Sequence, residues 1–423
     1  MMTVSTAALI LDRCDELATH SALPGGLIER VYLSPEHAAV NALAADWMKQ
    51  SGLTTWQDAA GNQCGRLEGA TPGLPALLLG SHLDTVPCAG RYDGILGVLL
   101  AIAVADRVRV SGRVLPFALE VVAFGDEEGT RFGTTLLGSR ALAGTWQPEW
   151  WRLRDAHGVT LHEAFLAFGL DPARVAEAAR SPQDLVGYLE AHIEQGPVLD
   201  DSDQPLAVVT SIAGARRFQI TIDGAAGHSG TPWSLRRDAL AGASEAILAI
   251  EDIARRANLI ATVGHLRVFP DAVNVIPGRA EFSLDLRGQF DAERDSAWEG
   301  IEAALSDICS RRLLTVHSVQ THSAPAAHCS TRLREAVADG IRSSSVAGSV
   351  STDAPSLLSM AGHDAMAVAA VTEIGMLFVR CAGGVSHHPD ESVTEADVDA
   401  ALEAVEAAVL AVVDAQPFEG SAA

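Results

Sequence analysis

A chain of 423 residues exceeds the size at which a single hydrophobic core keeps growing, so more than one domain is expected. With 48% hydrophobic and 20% charged residues, its composition is that of a globular protein rather than a disordered one. The formal net charge of -24 argues against nucleic-acid binding, which needs basic surface to displace phosphate counterions.

The opening segment, MMTVSTAALILDRCDELATHSAL, lacks a basic start, and Asp12, Asp15 and Glu16 interrupt its apolar stretch. It reads as an amphipathic helix, not a secretory signal. No apolar run approaches the length of a membrane span. Cys14, Cys64, Cys88, Cys309, Cys329 and Cys381 are scattered without a CxxC pair. Neither a disulfide framework nor a thiolate zinc site is expected, and the cytoplasm is the expected location.

From Ala76, ALLLGSHLDTVP reads as a buried strand running into a polar loop, followed by the helical DGILGVLLAIAVADRV. FALEVVAFGDEEG is a second apolar strand whose far end carries acids. Strands alternating with helices predict an α/β domain with a mostly parallel sheet, and functional groups gather beyond the carboxyl ends of such strands. From about Thr210 the pattern changes to half-exposed strands, RRFQITIDGAAG, LIATVGHLRVFP and RAEFSLDLRG. With two amphipathic helices among them, they describe a smaller α+β module. After about Pro325 helical patterns resume, ending in TEADVDAALEAVEAAVLAVV, which a Thr/Glu capping pattern opens. The expected architecture is one α/β domain (residues 1–209 and 325–423) interrupted by an inserted α+β module (210–324).

Four segments place His and acidic residues next to glycine at the ends of apolar runs: GSHLDTVPCAGRYDGILG, FGDEEGTRFG, LEAHIEQGPVL and GGVSHHPDES. Taken singly, each is explained by capping or solvation. Together they offer the imidazole and carboxylate set of a hydrolytic dinuclear centre.

In order and spacing, from near residue 30 to near residue 410, these segments resemble the amidase, hydantoinase and carbamoylase branch of the aminoacylase-like dinuclear metallopeptidases. That branch includes N-carbamoyl-L-amino-acid hydrolases, allantoate amidohydrolases and β-ureidopropionases, and HIEQGPVL is especially characteristic of it. The resemblance implies a metallohydrolase catalytic domain and an inserted dimerisation or lid domain. It assigns His82 and His192 to one metal, Asp93 as the bridging carboxylate, and Glu128 and His387 to the second metal. His388 competes with His387 for that role, and the family pattern, with the ligand directly after Ser, favours His387. Such donors suit Zn²⁺ or Mn²⁺, with Co²⁺ and Ni²⁺ also compatible. Glu127 resembles the general base that deprotonates a shared water. Asp84, two residues beyond His82, is expected to accept the other ring N–H of that histidine and fix its tautomer.

In the inserted module the resemblance implies that His228, Asn274 and Arg287 serve a substrate pocket, some of them across a homodimer interface. Arg287 would grip a substrate carboxylate and His228 would stabilise an oxyanion. Gln195 and Gly362 match further substrate-contacting positions. One departure stands out: the family commonly reads HAGTTPM before LRRDAL, whereas this chain reads HSGTPWS and is one residue shorter, with Trp233 entering the loop. The expected activity is hydrolysis of the C–N bond of a ureido group on a small carboxylate substrate, with no nucleic acid or membrane partner. N-carbamoyl-L-amino acids come first, and allantoate or β-ureido acids are the alternatives. An N-acyl deacylase or peptidase, and a silent binding protein on the same scaffold, are the rival readings.

Overall fold

The computed structural model of the protein describes residues 5–344 and 354–414. The chain divides into two compact units, one formed by residues up to Thr210 and from His328 onward, the other by Ser211–Ala327.

The first unit is a mixed α/β structure built on a largely parallel sheet. Across the sheet the strands run Thr54–Gln57, Gln63–Leu67, Ala118–Phe124, Ala76–His82, Leu185–Ile193, Ile374–Val379 and Leu206–Ile212, with Ala327–His328 beyond. The four central strands, from Ala118–Phe124 to Ile374–Val379, are mutually parallel. Antiparallel strands flank them on both sides. Ala76–His82, Ala118–Phe124 and Leu185–Ile193 are buried along their whole length, which is why they read as continuous apolar runs rather than alternating ones. The helix Ile95–Val110 is apolar all round because the sheet covers one side, and the helices Thr6–Ala18 and Glu395–Asp414 pack elsewhere on it. Residues 129–184 form short helices around a separate apolar cluster. There Tyr32, Phe132, Leu137 and Phe165 are buried. No helix among the described residues is long and apolar enough to cross a membrane.

The second unit is an antiparallel sheet in the order Leu266–Phe269, Arg279–Gly288, Gly214–Asp223, Thr315–Ala324, with Ile260–Thr262 also paired to Arg279–Gly288. The helices Ala239–Arg256 and Asp291–Arg311 pack onto the sheet. The core lies between helices and sheet, with Phe218 stacked on Trp298 at 3.5 Å between ring centroids. Along Arg279–Gly288, buried residues alternate with half-exposed ones, the period-two signature of a sheet covered on one face.

Candidate metal centre

Parallel strands deliver their carboxyl ends to one edge of a sheet, and the polar clusters collect at that edge. His82 ends its strand opposite Phe124, three residues before Glu127. The register pairs Leu79 with Leu189, so His82 and His192, each three residues further on, reach the same level on neighbouring strands. Their rings lie 5.8 Å apart between centroids. Asp93 sits in the turn before Ile95–Val110, and the φ of +74° at the intervening Gly94 favours glycine. A Cβ at Gly94 would lie 2.4 Å from Nε2 of His82, so the turn can pass the imidazole only without a side chain.

Both buried imidazoles are oriented by main-chain carbonyls. His82 Nδ1–H donates to the carbonyl of Asp84 at 3.0 Å, and His192 Nδ1–H donates to that of Ile193 at 2.9 Å. Each ring therefore turns Nε2 toward Asp93 Oδ1, at 3.8 Å for His82 and 3.2 Å for His192. Asp93 Oδ2 lies 3.1 Å from His387 Nε2, which is also 3.5 Å from Glu128 Oε1. Two sets of donors result, His82, Asp93 and His192, and Asp93, Glu128 and His387, each with ligand atoms within 4.8 Å of one another. Asp93 belongs to both. His388 points elsewhere, toward the exposed Asp390, and has no part in either set.

The expected role of the Asp84 side chain needs correction. Its carboxylate oxygen is 3.7 Å from His82 Nδ1, too far for a hydrogen bond, and the ring is held by the Asp84 main chain instead. The carboxylate accepts the backbone N–H groups of Glu127 and Glu128, each at 3.1 Å. The reason is local: after Phe124 the chain reverses through a left-handed Asp126 (φ +65°), and those two amides are left facing Asp84.

Burial and mutual repulsion dominate the electrostatics. Glu127 is buried and its carboxyl is pushed well above the usual carboxylate range, first by burial and then by Glu128, Asp364, Asp84 and Asp93, all acidic. Burial, then the charge of Asp93, pushes Glu128 up to about 8. Asp93 is held well below its ordinary value: burial alone would raise it, but hydrogen bonds from His192 and His387 outweigh that. The same pairing lifts His192 to about 9 against the opposing effect of burial. Packed carboxylates with acidic neighbours and three inward imidazole nitrogens need positive charge among them. That donor set fits a pair of divalent cations.

Gln195 donates through Nε2 to Asp93 Oδ2 at 3.0 Å and to Ser386 Oγ at 3.1 Å, on a left-handed backbone of φ +55°. Gly362 lies against Glu127, since a Cβ there would be 3.6 Å from Oε1. Sequence reasoning passed over three groups around this centre. Glu391 accepts the N–H groups of Tyr92 and Asp93. Glu190 accepts from Ser81 Oγ and Ala365 N. His363 packs edge-on against His192 at 4.4 Å. For Glu391 the available signal was its place four residues beyond His387 in SHHPDE; the other two lie in strand and loop with no outward sign.

In the second unit, His228 and Asn274 are neighbours: Ser229 N donates to the Asn274 carbonyl at 3.0 Å, and His228 pairs with Val275. Gly230 N–H donates to His228 Nδ1 at 3.0 Å, so the neutral ring carries its proton on Nε2. Arg236 braces this loop by donating to the carbonyls of Thr231 and Ser229 while lying 4.0 Å over the ring of Trp233, which is 82% exposed. Arg287 is not with them. It lies near the other end of the strand Arg279–Gly288, where it pairs with Asp285 at 3.0 Å. Eight residue steps at about 3.3 Å each put roughly 26 Å between Arg279, near the His228 end, and Arg287.

The model for peptidase family M20/M25/M40 matches residues 78–411. A probable allantoate deiminase of Oryza sativa subsp. japonica is 42% identical over 405 residues, covering 89% of this chain and 82% of its own. An N-carbamoyl-L-amino acid amidohydrolase of Geobacillus stearothermophilus is 41% identical over 387 residues, covering 91% and 93%. The crystal structure of an amidase of the hydantoinase/carbamoylase family from Burkholderia multivorans superposes with a TM-score of 0.87 at 30% identity, covering 96% of this chain and 98% of that one. With a family model matched over most of its length and relatives of this similarity, the chain belongs to peptidase family M20/M25/M40.

Proposed function

We propose that this protein is a metal-dependent amidohydrolase that cleaves the C–N bond of a ureido group on a small carboxylate, of the N-carbamoyl-L-amino acid or allantoate type. The observation that carries the reading is Asp93, which turns Oδ1 toward His82 and His192 and Oδ2 toward His387 beside Glu128. In their names, relatives at 41% and 42% identity carry these two activities. His82, Asp93 and His192 would hold one divalent cation, and Asp93, Glu128 and His387 the other, with Zn²⁺ or Mn²⁺ matching the donors. Such a pair supplies Lewis acidity to the scissile carbonyl and acidifies water.

Glu127 takes the proton from the attacking water and returns it to the leaving nitrogen. Burial beside the donor carboxylates raises its proton affinity and two bound cations would lower it; taking up and returning the proton both need that balance to fall near the working pH. Both donor hydrogens of Gln195 are spent on Asp93 and Ser386, so toward a substrate it offers the acceptor Oε1, suited to a ureido N–H. His228, as the Nε2–H tautomer, donates to the oxyanion of the tetrahedral intermediate. Arg287 recognises the substrate carboxylate, with Asn274 alongside.

Asp223, five residues before His228, pairs with Arg279, and roughly 26 Å of strand separates Arg279 from Arg287; that spacing favours a homodimer in which each pocket draws His228 and Asn274 from one copy and Arg287 from the other. A groove of about 470 Å³, lined by Ile247, Ile250, Leu259, Ile260 and Val263 together with the charged Glu251 and Arg255, offers the module a partly apolar face for that association. The inserted module is then both dimerisation element and lid. All six cysteines are free thiols, in keeping with a cytoplasmic location.

The test is product analysis with Mn²⁺ or Zn²⁺ supplied. Ammonia should be released from N-carbamoyl-L-amino acids or allantoate. Release of amine from N-acyl amino acids without ammonia from any ureido acid would replace this reading with a deacylase.

A further inference from the structure

Glu391 is buried, 4% exposed, and lies between two loops that bring donor atoms to the centre. Its Oε1 accepts the N–H groups of Tyr92 (2.8 Å) and Asp93 (3.1 Å), and its Oε2 accepts the hydroxyl of Ser386 at 2.9 Å. A Cβ on Gly90 would lie 2.2 Å from the carboxyl carbon, so the carboxylate is pressed against the main chain that leads to Asp93. Ser386 precedes His387, and its Oγ is also 3.4 Å from Asp93 Oδ2 and 3.1 Å from Gln195 Nε2.

We propose that Glu391 is a positioning residue that sets Asp93 and His387 in register for the second cation and draws the Ser386 proton away from Asp93. Ser386 has one hydroxyl proton and two carboxylates within reach. The shorter contact gives that proton to Glu391, and Ser386 Oγ accepts from Gln195. Asp93 Oδ2 then keeps lone-pair density for a cation. The inference rests on the dinuclear reading above.

The substitution that isolates the effect is Glu391→Gln, which preserves shape. Its carbonyl can still accept the Tyr92 and Asp93 amides, but its NH₂ faces Ser386 Oγ as a donor. The Ser386 proton must then turn to Asp93 Oδ2. Co²⁺ titration of the metal-free protein, followed by calorimetry and by visible absorption, reads the consequence. Wild type should bind two equivalents. E391Q should keep one at wild-type affinity and lose roughly 10–100-fold for the other, with an altered cobalt spectrum. Adding Ser386→Ala to E391Q removes the misdirected proton and should restore part of that affinity, which a mere packing defect would not allow. E391Q binding both ions as wild type does, or a loss that Ser386→Ala leaves unchanged, overturns the proposal while leaving the dinuclear centre standing. A wild-type protein that binds no pair of Co²⁺ ions overturns both.

Discussion

Replacing Asp84 by Asn tests which of its two atoms groups matters. The carboxylate accepts one backbone N–H on each oxygen, from Glu127 and from Glu128. Asn can offer only one acceptor, so one of those amides meets an NH₂ group. Hydrogen bonds to a charged acceptor are worth about 1.5–3 kcal/mol each. Where that loss is felt through the aim of Glu127 in the transition state, it corresponds to roughly a 10- to 150-fold fall in kcat. The Asp84 main-chain carbonyl, which fixes the His82 tautomer, is untouched. The defect should therefore fall on the Glu128 half of the centre and spare the His82 half. Two backgrounds separate the halves: His387→Ala retains the His82 set, and His82→Ala retains the Glu128 set. Asp84→Asn should leave Co²⁺ affinity unchanged in the first and weaken it in the second. Wild-type kcat in the single variant would refute the carboxylate's support of Glu127 and Glu128, and weakening confined to the His387→Ala background would refute the main-chain account of His82 orientation.

Glu127→Gln should lower kcat by roughly 10²–10⁴-fold while two equivalents of metal still bind, because the residue moves a proton and holds no cation; metal analysis beside steady-state kinetics checks this. Mixing Arg287→Ala with His228→Ala subunits, each inactive alone, should regain about a quarter of wild-type activity after subunit exchange, since half the dimers are mixed and each of those has one intact pocket. No recovery despite demonstrated exchange would place both residues in one copy's pocket. Away from the centre, burial and then the charge of Arg30 hold His37 down to about 3, so its ring gains a proton on unfolding below its free value of about 6.5. Its folded pKa being depressed, the native state binds fewer protons than the unfolded one, and stability falls as the pH drops from about 6.5 toward 3, by about 2 kcal/mol at pH 5. His37→Asn, which retains an acceptor for the Leu33 N–H, should flatten the pH dependence of urea unfolding over that window. An unchanged slope would remove His37 from the acid sensitivity.

By itself the sequence carried the elements and the chemistry on offer. Fully buried parallel strands read as unbroken apolar runs, and His82, Glu127, Glu128 and His192 stand where such runs end. Those signals are local, since burial on both faces and the turn after a strand are written in adjacent residues. What the sequence left open depends on groups brought together from far along the chain. His387 rather than His388 turns inward because its backbone is left-handed (φ +55°) and its loop is tied to Asp93 through Ser386 and Glu391. The Asp84 side chain serves Glu127 and Glu128 rather than His82, which only the reversal at Asp126 could decide. Arg287 and His228 look equivalent as members of one module, yet Arg287 lies near one end of a ten-residue strand whose other end, Arg279, pairs with Asp223, five residues before His228. Residue types and hydrophobic period fix which groups a strand delivers to an edge. Register, handed turns and hydrogen bonds between distant loops decide which atoms meet there.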